Sequence, residues 1–419
     1  MNNIITAIKG FSDLFQPESN MFSYIEHTAR AIFSLYNYEE LRIPLLERTE
    51  LFCRSIGLET DIVQKEMYTF LDRKNRSLTL RPEATASIIR AYIENKKYTQ
   101  EAVSKFLSIG PMFRYERPQK GRMRQFHQVN CECLGVTDSY IDAEIIIMLM
   151  QFLTALEIKD IRLEINSLGC ADCRPLYKDI LQKWLDQLDT QTLCDDCQRR
   201  KETNPLRVLD CKVSFCKEKT SQAPHFLDYQ CKTCLDQFST VTTLLSLENI
   251  PYIINHRLVR GLDYYMRTTF EVISSNIGSQ GAIAGGGRYN GLVAQLGGPD
   301  IPGIGFACGM ERLALLLPRK DLPRPDFMIG VFIAEGKDKA FSISSQLHKA
   351  GFSGEMLFNL GSMKSLMRHA NKARVRYCLL LGTEELALNS ISIKNMDTGV
   401  QEKISLDKVS SYFITKLSK

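Results

Sequence analysis

The spacing of apolar residues divides the first 317 residues into helices and strands. Residues 17–36 carry apolar side chains at the three- and four-residue intervals of an amphipathic helix. Alternation predicts a long hairpin with strands at 106–117 and 122–134. The most apolar run, residues 145–158, contains polar interruptions and is too short to span a bilayer, so we expect a buried helix there. The other predicted elements are strands at 41–46, 66–72, 77–81, 161–166, 252–255, 267–274 and 281–284, and helices at 83–92, 140–158 and 309–317.

Two stretches depart from this pattern. Residues 168–238 are rich in cysteine and charge, with helical spacing and little alternation, which is typical of an inserted module. Residues 317–325 hold three prolines and four charges and are typical of a linker. We therefore expect a core formed by 1–167 and 239–318, the insertion, and a small α/β domain over 325–419. In that last domain the pattern predicts strands at 327–332, 355–358 and 377–381 and helices at 337–350 and 361–374.

Composition and charge narrow the class of protein. The net charge of +5 is mild, and residues 325–419 carry 13 Lys/Arg against 9 Asp/Glu, which hints at a polyanionic partner for the tail. The N-terminus lacks the basic and apolar regions of a signal peptide. Thirteen cysteines, an odd number without an export signal, argue for a reducing compartment. We expect a cytoplasmic protein with no membrane partner.

A cationic segment coincides with the turn of the long hairpin. Arg114 and Glu116 would lie on one face of its first strand. This arrangement suits a nucleotide, with phosphates on the arginines and the adenine amine near Glu116. A solvated basic hairpin is the alternative. The cations of the segment are Arg114, Arg117, Lys120, Arg122 and Arg124.

Two further polar groups precede and follow this segment. Glu83 and Thr85 stand at the mouth of a predicted helix, where a carboxylate and a hydroxyl can bind an ammonium group; an ordinary helix start is the alternative. Gln128, Asn130 and Glu132 alternate onto one face of an otherwise apolar strand. Such a row indicates the wall of a wet pocket, or else an edge facing solvent.

The densest group of functional side chains is Arg260-Gly261-Leu262-Asp263-Tyr264-Tyr265, called the tyrosine loop below. Its arginine can hold a phosphate or carboxylate, and its paired tyrosines can enclose a small flat ligand. A surface turn with a cation–π contact is the alternative. Two glycine-rich loops follow, Gly285-Gly286-Gly287-Arg288-Tyr289 and Gly303-Ile304-Gly305-Phe306-Ala307-Cys308-Gly309-Met310-Glu311-Arg312, where the backbone could approach a ligand closely.

These motifs together resemble a known family. Phe113-Arg114-Tyr115-Glu116-Arg117 is similar to the second motif of class II aminoacyl-tRNA synthetases, and the segment ending at Arg312 to their third. The first helix with the strand holding Pro44 resembles their first motif, a dimer element. The tyrosine loop and the segment from Gly285 to Tyr289 resemble two motifs peculiar to histidyl-tRNA synthetases. The resemblance covers nearly the whole chain except the detail of 168–238. It implies an α/β fold with a class II antiparallel sheet flanked by helices and a C-terminal anticodon-binding domain.

The resemblance also implies roles for single residues. Glu83 and Thr85 would hold the α-amino group of histidine, Gln128 would belong to the same pocket, and Glu132 would hydrogen-bond the imidazole. The substrate-binding set for histidine is Glu83, Thr85, Arg114, Gln128, Glu132, Arg260, Tyr264 and Tyr265. The ATP-binding set is Arg114, Glu116, Arg122 and Arg312, with Arg114 and Arg312 on the α- and γ-phosphates, Glu116 at the adenine and Arg122 at the β/γ end.

The implied reaction uses ATP and magnesium to activate histidine, and then transfers histidine to the 3′ end of tRNA(His). Arg260 and Arg114 are the expected catalytic residues, since both would face the α-phosphate. No protein nucleophile is required, and we do not assign His127 as a general base. The expected assembly is a homodimer.

The chain departs from the family in two places. Lys9-Gly10-Phe11-Ser12-Asp13 is a variant of a usual Lys-Gly-Thr-Arg-Asp, which we interpret as a structural difference. The second departure is four cysteine pairs in the insertion, whose spacing resembles that of structural zinc sites. We expect one or two four-cysteine zinc sites, with pairing by proximity in sequence: Cys170 and Cys173 with Cys194 and Cys197, and Cys211 and Cys216 with Cys231 and Cys234. Free thiols packed as small apolar groups are the alternative.

Two other functions remain open from the sequence. The first is a catalytically inactive, synthetase-like regulatory subunit of ATP phosphoribosyltransferase, although such proteins generally lack the tail domain and the second arginine–tyrosine motif. The second is a zinc-containing RNA-binding protein, which would not need all of the arginines above. In the tail, Lys364, Arg368 and Lys372 would share one helix face suited to RNA phosphates or simply exposed to solvent.

Overall fold

The chain divides into two compact units, Met1–Pro318 and Arg319–Lys419. A computed structural model describes residues 4–58, 60–188, 193–278, 281–318, 324–358 and 362–417. The helices of the first unit are α1 (Glu18–Ser34), α2 (Thr49–Ile56), α3 (Thr85–Glu94), α4 (Tyr140–Ala155), α5 (Cys173–Asp186), α6 (Asp195–Thr203), α7 (Ser214–Lys219), α8 (Lys232–Leu247), α9 (Leu292–Gln295) and α10 (Met310–Leu316). Its strands are β1 (Glu39–Glu40), β2 (Leu46–Arg48), β3 (Tyr68–Leu71), β4 (Ser77–Leu80), β5 (Ser104–Phe113), β6 (Gln125–Leu134), β7 (Ile161–Ser167), β8 (Tyr252–Ile254), β9 (Met266–Ser274), β10 (Ala282–Arg288) and β11 (Gly303–Gly309).

An eight-stranded sheet in the order β1-β5-β6-β11-β10-β9-β7-β8 forms the centre of the first unit. Its six inner strands pair antiparallel, and the two short edge strands pair parallel with their neighbours. Helices α1, α4, α8 and α10 contribute to one core with the apolar side chains of the sheet, such as Phe33, Phe152, Phe270 and Phe306. The expected antiparallel sheet flanked by helices is confirmed.

Helix α4 accounts for the most apolar run of the sequence. Nine of its sixteen residues are buried, because it lies between the sheet and its neighbouring helices. The prediction of a buried helix is therefore confirmed. Within the described ranges, no helix has the length and apolarity needed to cross a bilayer.

The strand predicted over residues 41–46 is wrong, because β1 and β2 leave residues 41–45 without regular structure. Backbone carbonyl groups in this segment accept hydrogen bonds from a side chain and not from a neighbouring strand. The guanidinium of Arg81 donates to the carbonyl oxygen of Ile43 (2.8 Å) and to that of Pro44 (3.3 Å). A buried arginine thus satisfies the acceptors that a strand ladder would otherwise satisfy.

Both glycine-rich loops predicted from the sequence are strands. Residues 285–287 lie in β10 and residues 303–309 form β11, and the two strands pair antiparallel. Gly286 lies opposite Gly305, and a Cβ at Gly286 would collide with the carbonyl oxygen of Gly305 and would lie 2.8 Å from the ring of Phe270. Glycine is required here by close packing within the sheet, a constraint that composition alone does not distinguish from a flexible loop.

The insertion and the second unit have the predicted helical and α/β character. The insertion contains α5, α6 and α7, and α8 runs from it through residue 247, placing Phe238, Val241 and Leu245 in the main core. The second unit has a five-stranded sheet in the order β13-β12-β14-β15-β16. Its elements are β12 (Phe327–Val331), α11 (Lys337–Lys349), β13 (Gly354–Leu357), α12 (Met363–Ala373), β14 (Tyr377–Leu381), α13 (Thr383–Ala387), β15 (Ser390–Asn395), β16 (Gln401–Ser405) and α14 (Val409–Leu417). Part of the predicted linker, residues 319–323, and the first residue of the helix predicted over 361–374 lie outside the described residues.

A buried ion pair connects the end of β10 to α4. Arg288 donates through Nε to Oδ1 of Asp142 at 2.9 Å, and both side chains are at most 2% exposed. The same guanidinium donates to the carbonyl oxygens of Val136 (2.8 Å) and Asp138 (3.0 Å). All of these acceptors lie on α4 or on the segment that leads into it, so Arg288 fixes the helix against the sheet.

We expect Asp142→Ala to lower the free energy of unfolding by about 3–5 kcal/mol, because it leaves a buried guanidinium without its counter-ion. Chemical denaturation followed by circular dichroism measures this change. The matched control is Asp236→Ala, which removes an exposed partner of Lys232 and should change the free energy by less than about 1 kcal/mol. Equal losses in the two variants would contradict the role assigned to the pair.

Candidate active site

A buried carboxyl group lies in the middle of the central sheet. Glu132 is on β6, between Phe106 of β5 and Gly305 of β11, and is 1% exposed. Thr85 Oγ1 donates to Glu132 Oε1 at 2.6 Å, and the hydroxyl of Tyr289 donates to Oε2. A side chain at position 305 would occupy the space of this carboxyl, so Gly305 provides the room for it.

The environment of Glu132 favours its neutral form. Burial raises the pKa of this carboxyl from 4.5 to about 8, although the hydrogen bonds from Thr85 and Tyr289 act in the opposite direction. Sequence reasoning assigned Glu132 and Thr85 to one pocket, and the structure brings them together. Sequence reasoning did not assign Tyr289 to the pocket, and the only indication of its role was its place at the end of the Gly285–Tyr289 motif.

Glu83 stabilises the start of a helix, whether or not it also binds a ligand. Its carboxylate accepts from the backbone N–H groups of Thr85 and Ala86, each at 2.8 Å, at the start of α3. The helix-start interpretation is therefore confirmed for Glu83. Burial raises the pKa of Glu83, while the two N–H donors oppose the shift. Its position also places it next to Thr85 and hence close to the Glu132 carboxyl.

The two tyrosines of the tyrosine loop cover this polar group. Tyr264 and Tyr265 are 8% and 5% exposed, and their ring centroids are 4.6 Å apart. The ring of Tyr264 meets that of Tyr289 edge to face at 5.8 Å. Gln128, on β6, contributes a buried Oε1 that has no hydrogen-bond partner among the described residues. The result is a small polar compartment with aromatic walls.

Arg260 extends from the tyrosine loop across the sheet. It pairs with Glu271 of β9, and its guanidinium carbon lies 5.4 Å from the centroid of Tyr265. A Cβ at Gly285 would overlap this guanidinium, so the glycine of β10 makes room for the arginine. Within the described part of the chain, Arg260 Nε is buried without a hydrogen-bond partner, and it can still donate to an anion.

The cationic segment lies beyond the hairpin strands, and its expected geometry needs correction. Because β5 ends at Phe113, Arg114 and Glu116 do not share a strand face as predicted. They are nevertheless neighbours, since Arg114 Nη1 lies 3.9 Å from Glu116 Oε1. Arg122 forms an ion pair with Glu116, and Arg114 Nε donates to the carbonyl oxygen of Pro82 at 2.9 Å. The three charged residues still face one cavity.

Arg312 approaches the same cavity from α10. Its Nε donates to the carbonyl oxygen of Gly121 at 3.3 Å, and its Nη1 donates to that of Ala282. The adjacent Glu311 accepts from the backbone N–H of His127 and contacts its ring Nδ1 at 3.0 Å. The Glu311 carboxylate therefore fixes both the backbone and the ring of His127.

The cavity in front of the sheet has a volume of about 1230 Å³, which is large enough for a nucleotide and a second ligand. The buried compartment of Glu83, Thr85, Glu132, Tyr264 and Tyr265 is not part of its lining, whereas Gln128 and Arg260 are. The charged and polar lining residues of the core include Glu66, Arg114, Glu116, Arg122, Gln128, Arg260, Glu271 and Arg312, and those of the insertion include Arg200, Arg207, Lys212 and Lys217.

The eight cysteines of the insertion form two clusters, and the predicted pairing is wrong. The outer cluster joins Cys170 and Cys173 to Cys231 and Cys234, and the inner cluster joins Cys194 and Cys197 to Cys211 and Cys216. The physical reason is nesting: α5 and α8 bring the two ends of the insertion together, and the inner segment folds back on itself between them. In each cluster the sulfur atoms lie within 4.8 Å of one another.

The antiparallel six-stranded centre, the arginines around one cavity and the separate α/β unit define an aminoacyl-tRNA synthetase of class II. The sequence profile of the histidyl-tRNA synthetases matches residues 10–313, and that of an anticodon-binding domain matches residues 328–416. A histidine–tRNA ligase of Nitratidesulfovibrio vulgaris strain Hildenborough is 58% identical over 407 residues, which cover 97% of this chain and 98% of the relative.

The crystal structure of apo S. aureus histidyl-tRNA synthetase superposes with a TM-score of 0.81 at 34% identity, covering 98% of this chain and 100% of that one. A Bacillus halodurans structure described as an ATP phosphoribosyltransferase regulatory subunit/histidyl-tRNA synthetase covers 91% of this chain and 99% of that one, with a TM-score of 0.66. At 16% identity, this second likeness shows the fold alone. The chain belongs to the histidyl-tRNA synthetase family. It is accordingly an enzyme, a ligase that joins histidine to tRNA.

The raised pKa of Glu132 predicts a pH dependence of stability. The folded state favours the protonated carboxyl, so this contribution to the free energy of unfolding is complete below the ordinary pKa of 4.5 and is lost as the pH rises through about 8. We expect wild type to lose stability between pH 6 and pH 8.5, and Glu132→Gln, a neutral isostere, to lose less. Urea unfolding at the two pH values measures the difference. The exposed Glu248→Gln should behave as wild type; identical pH profiles for all three proteins would contradict the assignment.

Proposed function

We propose that the buried compartment around Glu132 selects histidine and that the adjoining cavity holds ATP during formation of histidyl-adenylate. The observation that carries this assignment is the position of Glu132: a carboxyl held by Thr85 and Tyr289, behind two tyrosine rings. Each oxygen of this carboxyl has a second lone pair beside the one that accepts from Thr85 or Tyr289, so the group can accept a further hydrogen bond from an imidazole N–H and fix the tautomer of the ring. Side chains without that donor would lose this buried hydrogen bond, which disfavours them.

The rest of the compartment suits the other end of the amino acid. Glu83 and Thr85 would receive the α-amino group, and Gln128 offers its unpartnered Oε1 as a further acceptor. Tyr264 and Tyr265 would close over the imidazole after the tyrosine loop has admitted it. The bound histidine would thus be covered by the two tyrosines, and water would be excluded from the reacting groups.

Activation joins the histidine carboxylate to the α-phosphorus of ATP. One carboxylate oxygen forms the new bond, the bond to the oxygen bridging the α- and β-phosphorus breaks, and pyrophosphate leaves with that electron pair. Negative charge increases on the remaining α-phosphate oxygens in the transition state. Arg260, which keeps an unpartnered Nε, and Arg114 are the cations placed to stabilise it.

The nucleotide would extend along the cationic part of the cavity. Arg312 at the start of α10 would hold the γ-phosphate, and Arg122 the β/γ end. Arg122 would leave its ion pair with Glu116 to bind phosphate, and Glu116 would then be able to contact the adenine. Magnesium, typical of this family with ATP, would suit the carboxylate of Glu271 in the lining, because Mg²⁺ prefers oxygen ligands and commonly binds one or two carboxylates together with substrate phosphates.

The second unit would bind the anticodon region of tRNA(His). Lys364, Arg368 and Lys372 are exposed on α12, at the four-residue spacing that puts them on one face. A row of three cations can neutralise consecutive RNA phosphates. We further propose that the enzyme acts as a cytoplasmic homodimer and that each cysteine cluster binds one structural zinc ion.

Arg260→Ala should reduce histidine-dependent ATP–pyrophosphate exchange by on the order of 100-fold, the usual effect of removing a fixed donor to a developing charge. Isotope exchange with each of the amino acids in turn measures both rate and specificity. The matched control is Arg42→Ala, an arginine whose side chain is 82% exposed, which should retain the wild-type rate.

Exchange by wild type with histidine alone supports the proposed selectivity. Exchange that persists in Arg260→Ala would contradict the role of the arginine. A folded protein that catalyses no exchange with any amino acid would instead favour a regulatory or RNA-binding protein.

Removal of residues 319–419 should weaken tRNA charging far more than adenylate formation, since the compartment and cavity lie entirely in the first unit. Aminoacylation of tRNA(His) transcript and pyrophosphate exchange are measured on the same preparation. The triple variant Lys364→Ala/Arg368→Ala/Lys372→Ala should reproduce part of the charging defect in the full chain. Equal losses of charging and exchange after truncation would contradict the proposal that the second unit serves tRNA binding and the first unit forms the adenylate.

A further inference from the structure

We propose that the two cysteine clusters are tetrathiolate zinc centres that position the tyrosine loop, acting through Arg174, Asn204 and Arg207. The inference rests on the proposed role of that loop in histidine binding. It concerns the insertion, for which the sequence motifs of the family gave no assignment. Its basis is the geometry of the sulfur atoms and the hydrogen bonds that leave each cluster towards the loop.

The sulfur atoms have the separations that a tetrahedral metal requires. Cys170 and Cys173 Sγ are 3.5 Å apart, and Cys194 and Cys211 Sγ are 3.8 Å apart. A tetrahedron with zinc–sulfur bonds of about 2.3 Å has edges of about 3.8 Å, whereas a disulfide needs about 2.05 Å.

Backbone N–H groups point at sulfur atoms in both clusters. The N–H of Cys231 donates to Cys173 Sγ at 3.1 Å in the outer cluster, and the N–H of Cys194 donates to Cys216 Sγ at 3.3 Å in the inner one. Donors of this kind can stabilise the negative charge of a metal-bound sulfur and fix its orientation.

The two helices of the inner segment bury few side chains of their own. Cys197 is the one buried residue of α6, and Cys216 is the one buried residue of α7, both helices being wholly within the described ranges. The apolar contacts of the segment come from residues between these helices, such as Leu206, Val208 and Leu209, so each helix has one thiol as its buried contact. A metal shared by both helices would fix them to one another.

The outer cluster leads directly to the tyrosine loop. Arg174 follows Cys173 at the start of α5, and its Nη1 donates to the carbonyl oxygens of Asp263 (3.1 Å) and Tyr265 (3.0 Å). Gly169 fits closely on the other side, since a Cβ there would lie 2.8 Å from Cys173 Cβ. Any displacement of Cys173 would therefore be transmitted to the loop.

The inner cluster reaches the same loop by another route. Between Cys197 and Cys211, Asn204 Nδ2 donates to Asp263 Oδ1 at 3.0 Å, and Arg207 Nη1 donates to the carbonyl oxygen of Arg260 at 3.2 Å. The loop is thus held at both its beginning and its middle by a segment whose ends are fixed by cysteines. Arg174, Asn204 and Arg207 are positioning residues, because they contact the loop and not the substrates.

Zinc content tests the metal and the pairing together. Wild type should contain two zinc ions per chain after dialysis against a mild chelator, as measured by inductively coupled plasma mass spectrometry. Cys173→Ser/Cys231→Ser removes two ligands of the outer cluster and Cys194→Ser/Cys216→Ser removes two of the inner, so each should retain one zinc. Pairing in sequence order would place one removed ligand in each site, and both variants would then lose both ions. The control Cys53→Ser, outside both clusters, should keep two.

Kinetics test the connection to the loop. In pyrophosphate exchange, Cys194→Ser/Cys216→Ser should raise the KM for histidine on the order of tenfold, the equivalent of one lost hydrogen bond, and leave the KM for ATP within about twofold. Asn204→Ala should raise the KM for histidine in the same direction while keeping two zinc ions. The matched control is Asn371→Ala, an exposed asparagine of α12, which should change neither constant.

The possible outcomes separate the two claims. Absence of zinc from wild type overturns the metal centres, whatever the kinetics. Two zinc ions with an unchanged KM for histidine in Asn204→Ala and in the cysteine variants overturn the positioning role. Failure of wild type to exchange with histidine overturns the proposed function instead, and the zinc measurement still decides the nature of the clusters.

Discussion

The burial of one carboxyl group sets the geometry of the catalytic unit. Glu132 sits in the interior of a β-sheet, where an ionised group is costly and an unpaired one more so. Three surrounding residues accommodate the carboxyl. Thr85 and Tyr289 donate hydrogen bonds to it, and Gly305, which lacks a side chain, leaves room for it. Because these residues come from α3, from the end of β10 and from β11, the carboxyl depends on the correct pairing of the whole sheet centre.

The same loop would join selectivity to catalysis under the proposed function. Arg260 stands on the loop that carries Tyr264 and Tyr265, so the arginine proposed to contact the α-phosphate would move with the tyrosines proposed to enclose the imidazole. A loop displaced by the wrong amino acid would then also carry its arginine away from the α-phosphorus. Gly285 permits this arrangement by leaving the surface of β10 bare beneath the guanidinium.

Much of this arrangement could be predicted from the sequence, because it depends on local periodicity and on motifs with many chemical groups. The buried helix α4, the hairpin of β5 and β6 and the α/β tail follow from apolar spacing. The glycine segments were misjudged as loops, since glycine is compatible with both a mobile turn and a tightly packed strand. The strand at 41–46 failed because Arg81, a residue distant in sequence, satisfies its carbonyls. The cysteine pairing failed because proximity along the chain does not reveal which helices fold back together.

The nested order of the cysteine clusters has a consequence for how the insertion acquires its shape. Fourteen positions separate Cys197 from Cys211, and fifty-eight separate Cys173 from Cys231. Closing the longer loop first would cost about 1.3 kcal/mol more chain entropy than closing the shorter one. Once the inner loop is closed, the outer one is effectively shortened. With a metal bound in each cluster, the insertion would assemble from its tip towards its base, so that the segment carrying Asn204 and Arg207 would form before the cysteines at the two ends of the insertion come together.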